Sequence, residues 1–184
     1  ALTLACESED LWDRLNPLIA KTGFRPYYSD DVVGAEIGGA VKNVLAIGCG
    51  VVDGAGLGQN ARASLISRGF AEMLRYGEAR GASAETLSGL CGLGDLVLTC
   101  SSTSSRNFSL GRGLGEGRSA ESLLSDRATV AEGASTAPVL QQDTKARRID
   151  MPIVDAVCAL LDGQANVQTV VTRLMKRPLV SERR

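Results

Sequence analysis

The chain has 184 residues, 44% of them hydrophobic, with 20 basic against 21 acidic side chains. That length and apolar content suit one buried core, with room for a fragment of a second domain. The near-neutral balance removes any electrostatic case for nucleic acid or an anionic membrane as partner, and Gly, Lys or Asp interrupts each apolar run before it reaches the roughly 20 residues that span a bilayer.

No signal peptide is visible. The five cysteines, Cys6, Cys49, Cys91, Cys100 and Cys158, are odd in number and widely spaced, with no Cys-x-x-Cys pair. That pattern points to reduced thiols in a cytoplasmic protein, with Cys49, Cys91, Cys100 and Cys158 as small core residues and no metal site. Histidine is absent, so the commonest general base is missing and a lysine becomes the leading candidate for proton transfer. Ala1, not a methionine, opens the chain and leads straight into an apolar run, as expected of a cut or processed end.

In chain order, residues 1–6 alternate weakly and predict a short strand. A helix follows from Ser8-Glu9-Asp10, carrying Leu11, Trp12, Leu15, Leu18 and Ile19 at helical spacing and stopping at Gly23. Residues 24–29 predict a second strand, placed at an edge by Pro26. This βαβ-like piece, residues 1–31, is too small to stand alone and reads as the tail of an α/β domain. Residues 32–184 carry almost no strand signal, so the fold class is mainly α. Residues 35–52 are apolar nearly all round and predict a helix buried on most sides. A surer helix spans 60–80, with Ala61, Leu65, Ile66, Phe70, Met73 and Leu74 on one stripe. Shorter helices are predicted over 83–91, 105–113, 120–125, 132–148, 152–161 and 166–176, each with a Gly, Pro, Ser or Asn near one end. Residues 181–184 are expected to fray.

The Gly-rich stretches at 48–50 and 54–58 do not make a nucleotide fingerprint, because Asp53 stands where G-x-G-x-x-G needs its third glycine. Tight turns and close packing explain them better. Lys42, by contrast, sits inside the apolar run 37–45, where an ammonium is costly without a partner, unless it snorkels from a half-exposed face. Asn43 beside it adds a second polar group and tilts the balance toward a site. Asp95, in the Gly-flanked segment Gly92-Leu93-Gly94-Asp95-Leu96, either caps a helix or pairs with a buried cation. Ser104-Ser105-Arg106-Asn107 offers hydroxyl, guanidinium and amide donors at a predicted helix start, suited to a phosphate or to an ordinary N-cap. Glu132 precedes a helix and favours its dipole.

Taken together, the segments Gly34–Val44, Asp53–Ala63, Gly92–Leu96 and Ser105–Asn107 resemble, in order and spacing, the bacterial NAD(P)-dependent sn-glycerol-3-phosphate dehydrogenases. The resemblance implies a multi-helix domain like the C-terminal domain of 6-phosphogluconate dehydrogenase, over residues 32–184. It implies a remnant of a Rossmann domain over residues 1–31. It implies an oxidoreductase that reversibly reduces dihydroxyacetone phosphate to sn-glycerol 3-phosphate for phospholipid synthesis, with NAD(P) bound mainly by a domain absent from this chain. A homo-oligomer is expected on the same ground. Lys42 matches the catalytic lysine, with Asn43 and Asp95 beside it and Thr99 as a further site hydroxyl. Ser105, Arg106 and Asn107 match the substrate-phosphate segment, and Arg106, Val130 and Glu132 match positions that touch the cofactor. No metal is implied, and this chain alone is expected to be inactive. Two other classes compete: the helical domain of a hydroxy-acid or opine dehydrogenase, and a non-catalytic helical dimerisation module.

Overall fold

The computed structural model describes residues 1–125, 131–179 and 181. Two strands, β1 (Leu2–Ala5) and β2 (Pro26–Ser29), pair in parallel, Leu2 opposite Pro26 and Ala5 opposite Ser29. Helix α1 (Glu9–Ala20) crosses between them, so the opening piece is a βαβ unit, as the spacing predicts. Ser8 caps α1 by accepting from the Leu11 N–H at 3.3 Å, and the Trp12 ring lies 5.5 Å from that of Tyr28. No residue of α1 is fully buried.

Asp31 starts the helical part. Its carboxylate accepts from the Gly34 N–H at 2.7 Å, capping α2 (Val32–Gly54), and from the Ser83 N–H at 2.8 Å. Burial raises this carboxyl, but those two N–H bonds and the Thr86 side chain together hold it below its ordinary value. Around α2 lie α3 (Gln59–Ala79), α4 (Ala84–Ser88), α5 (Asp95–Ser101), α6 (Arg106–Gly115), α7 (Ala120–Leu124), α8 (Glu132–Arg147), α9 (Pro152–Leu161) and α10 (Val167–Met175). Helices α3, α5, α6, α8 and α9 all pack directly on α2.

Helix α2 is the axis of the core, and all of residues 43–52 are buried. It is long and apolar enough to cross a membrane, which the interrupted apolar runs conceal: Gly38, Gly39 and Lys42 break the run without breaking the helix. Here the surrounding helices cover it. The closest neighbour is α6, because Gly50 and Gly54 face the backbone of Phe108 and Arg112 while Gly111 and Gly115 face that of Ile47 and Val51. A Cβ at Gly50 would stand 2.7 Å from the Arg112 nitrogen and 2.9 Å from the Phe108 carbonyl carbon. The second Gly-rich stretch forms the α2–α3 turn, with positive φ at Gly56 and Gly58.

Two features depart from the predicted elements. The helix expected over 83–91 stops at Ser88, and a new helix runs from Leu90 to Ser101, its first turn, Leu90–Gly94, being a π turn that leads into α5. Glycine at 89, 92 and 94 hides this helix from a propensity reading. The second feature is Glu72, which is 1% exposed in the middle of α3. Its carboxylate accepts from the N–H groups of Ile153 (2.8 Å) and Val154 (3.3 Å), supplying the cap that Met151 does not give α9. Burial pushes this carboxyl up to about 7, against the pull of those two bonds and of Arg75. All five cysteines are free. Cys49, Cys100 and Cys158 are buried, whereas Cys91, expected in the core, is only half-buried.

Candidate functional site

Lys42 and Asp95 meet. The ammonium of Lys42, on α2, donates to the Asp95 carboxylate at the start of α5, and the two side chains are 21% and 33% exposed. The alternative for Asp95 falls away, because the N-cap position of α5 belongs to Gly94 and no side chain caps it. Thr99 lies one turn further along. Its hydroxyl donates to the Asp95 carbonyl at 2.7 Å and stands 3.3 Å from the carboxylate oxygen Oδ1. A hydroxyl has one proton, so the carbonyl bond dominates and fixes Thr99 beside the carboxylate.

Asn43 faces the other way, into a hydrogen-bonded junction of three helices. The Gly133 N–H, in the first turn of α8, donates to Asn107 Oδ1 at 2.8 Å, and Asn107 Nδ2 donates to Asn43 Oδ1 at 3.0 Å. Asn43 Nδ2 in turn donates to the Gly39 carbonyl at 3.2 Å and lies 3.5 Å from Glu132 Oε2. Both asparagines are buried, at 9% and 8% exposure. The relay locks α2, α6 and the start of α8 together, leaving these two amides little freedom.

An open cleft of about 390 Å³ lies over this junction, lined by Asn43, Leu98, Thr99, Ser102, Ser104, Ser105, Arg106, Asn107 and Glu132. Seven of the nine predicted site residues therefore converge: Asn43, Thr99, Ser105, Arg106, Asn107 and Glu132 on the wall, and Asp95 directly behind Thr99. Lys42 stands with Asp95, next to Asn43 on α2 and off the wall itself. Val130 lies outside the described residues.

Ser105 is the N-cap of α6, its hydroxyl oxygen accepting from the Phe108 N–H at 3.3 Å, so its own proton stays available. Arg106 is the first residue of that helix. It is exposed, and its guanidinium has no ion-pair or hydrogen-bond partner among the described residues. A guanidinium at a helix N-terminus, beside a row of hydroxyls, has the donors that an oxyanion requires. Leu98, 67% exposed, and Ser102 also line the cleft and were not picked out by the sequence pattern. Their signal was the helix Leu90–Ser101 itself, which places 98 and 102 on the rim once 95 and 99 face inward. No group of three or more potential metal-binding side chains occurs among the described residues.

A family described as NAD-dependent glycerol-3-phosphate dehydrogenase C-terminus matches residues 31–172. The chain is 71% identical to the glycerol-3-phosphate dehydrogenase [NAD(P)+] of Erythrobacter litoralis and 68% identical to that of Novosphingobium aromaticivorans, over 99% of this chain and 55% of each relative. It thus spans about half the length of the curated relatives it matches. Among solved structures, the glycerol-3-phosphate dehydrogenase of Coxiella burnetii superposes with a TM-score of 0.90 at 38% identity, over 95% of this chain and 54% of that one.

Proposed function

Because the chain belongs to the NAD-dependent glycerol-3-phosphate dehydrogenase family, matching its C-terminal part, we propose that it carries the substrate-binding and proton-transfer half of an enzyme that interconverts dihydroxyacetone phosphate and sn-glycerol 3-phosphate. The observation that carries this reading is the Lys42–Asp95 pair standing behind a cleft that Arg106 also lines, its guanidinium without a partner among the described residues. One end of the site offers a proton and the other grips an anion.

The substrate phosphate docks on the Arg106 guanidinium, the Ser105 hydroxyl and the first N–H groups of α6. Asn107 contributes through its main chain, its amide being engaged by Asn43 and Gly133. That placement turns the substrate's C2 carbonyl toward Lys42. The ammonium polarises the carbonyl oxygen and, as the C–O π pair moves onto that oxygen, gives it a proton. The neutral amine left behind is reprotonated from water. Asp95 accepts from the lysine in both states and fixes its direction, while Thr99 steadies Asp95. A nicotinamide dinucleotide supplies the hydride when bound. Arg106 and Glu132 are the described residues at the cleft whose chemistry suits contact with it, and Val130 is assigned to it on the resemblance alone.

Residues 1–31 are best read as the last strands and helix of the dinucleotide-binding domain. A parallel sheet of two strands, with no buried residue on its crossover helix, supports this reading, since parallel sheets are stable when covered on both faces. The test is reduction of dihydroxyacetone phosphate by NADH and NADPH in the full-length protein, followed at 340 nm. Removing a general acid of this kind lowers kcat by about 10²–10⁴-fold. Unchanged turnover in Lys42→Ala refutes the assignment.

A further inference from the structure

Just before Asp95 the backbone of α2 and the backbone of the π turn touch. A Cβ placed on Gly38 would run into the Cys91 carbonyl oxygen and stand 3.0 Å from its carbon and 3.1 Å from Gly92 Cα. Backbone cannot swing aside as a side-chain tip can. The neighbouring glycine on the same helix, Gly39, has nothing within 4 Å of its own notional Cβ. Space is therefore restricted at 38 and open at 39.

The π turn itself is tied by wide hydrogen bonds. The Gly94 N–H donates to the Gly89 carbonyl at 3.0 Å, and the Asp95 N–H reaches the Leu90 carbonyl five residues back. Gly92 is required inside it, because a Cβ there would press on the Leu87 backbone, 2.5 Å from its carbonyl carbon. Nothing in the turn can shrink to make room for a side chain on α2.

Gly38 and Cys91 are in contact, and four residues later on each helix so are Lys42 and Asp95. Residues four apart lie one above the other on a helix face. The two contacts are thus successive rungs between the same pair of helices, and the depth of the first fixes the reach of the second.

We propose that Gly38 is a positioning residue for the Lys42–Asp95 pair: by bringing α2 into backbone contact with the π turn, it sets the distance at which the carboxylate holds the ammonium. This inference rests on the proposed role of Lys42. Nothing in the composition of the cleft wall would reveal it, because Gly38 does not line the cleft.

The experiment compares Gly38→Ala, Asp95→Asn and their double variant in full-length protein carrying Gly39→Ala, which adds helix propensity at a position with open space. The kcat of Gly39→Ala alone is the reference against which the other variants are read. Displacement of a catalytic group by about 1 Å can cost about 100-fold, and a loss of that size in kcat is expected for Gly38→Ala. If Gly38 acts through Asp95, the double variant turns over no more slowly than Asp95→Asn alone, and Asp95→Glu, one methylene longer, restores part of the activity lost in Gly38→Ala. Losses that multiply, or an unaltered Gly38→Ala, overturn the proposal. So does a Gly38→Ala protein unfolded by circular dichroism in this host, because Gly38 would then serve the fold and not the pair. The same cycle read in melting temperatures needs no substrate: the pair is already loosened in Gly38→Ala, so Asp95→Asn should cost less there than in the host, and additive shifts refute it. An inactive wild type would remove the proposed reaction and leave that cycle to decide on Gly38.

Discussion

Replacing Glu72 by glutamine should change how stability depends on pH. The carboxyl is 1% exposed and burial pushes it from 4.5 up to about 7. A carboxyl raised on folding favours the folded state fully only below its unfolded value, and that contribution is lost as pH rises toward the folded value. Each pKa step corresponds to about 1.4 kcal/mol, so the whole gap is about 3 kcal/mol and about 2.5 of it falls between pH 5 and 8. Glutamine does not titrate. It keeps one acceptor for the Ile153 N–H but turns an NH₂ toward that of Val154, a fixed cost of about 1 kcal/mol at every pH. The glutamine variant should therefore gain on the wild type by about 2.5 kcal/mol from pH 5 to pH 8, a relative shift of about 5–10 °C in melting temperature for a domain of this size. Differential scanning calorimetry of both proteins across that range measures it. A difference that stays constant with pH refutes the reasoning, as it would mean that the two helix N–H bonds fully offset burial.

Other variants test the site and its frame. Arg106→Ala should raise the KM for dihydroxyacetone phosphate with kcat less affected, and Arg106→Lys should recover little, because a lysine cannot offer the forked pair of donors; steady-state kinetics separate the two. Asn107→Asp keeps the acceptor for Gly133 but sets its second oxygen against Asn43 Oδ1, so a stability loss of about 1–3 kcal/mol is expected in chemical denaturation. Gly50→Ala should cost about 1–3 kcal/mol, since its Cβ meets the α6 backbone and no side chain can move to admit it; melting temperature reports this directly.

Helices that carry an apolar stripe, α3 above all, are legible in the sequence because one period repeats along them. The charged residues of the site are legible for the opposite reason. Lys42 breaks an apolar run, and such a break has few inexpensive explanations. Glu72 breaks a comparable run, between Ala71 and Met73, and the same argument applied there would have found it. What it could not give is the partner, the start of a helix some eighty residues away. The segment from Leu90 to Ser101 is illegible for a different reason. Its glycines read as punctuation, yet Gly92 and Gly38 serve close backbone approach, which leaves no trace in hydrophobic period. The Asn43–Asn107 relay was likewise visible only as residue types, since a hydrogen bond between residues 64 apart depends on how α2 and α6 cross.

These two kinds of residue answer one physical problem. An ammonium on the core helix must be deep enough to meet a fixed partner and shallow enough to avoid the full cost of desolvation. Lys42 stands at the boundary: the next ten residues of α2 are all buried, while its own side chain keeps 21% exposure. Glycines on either side make that boundary possible. Beyond Lys42, Gly50 and Gly54 let α6 press against α2, which brings the start of α6, with Ser105 and Arg106, up to the level of Asn43. Before it, Gly38 admits the π turn, which brings Asp95 level with the ammonium. A helix with ordinary side chains at those positions would stand several ångströms from both neighbours, as helices with larger contact residues do. The Asp95 carboxylate and the Arg106 guanidinium would then lie on separate surfaces, and the lysine between them would be only an exposed charge.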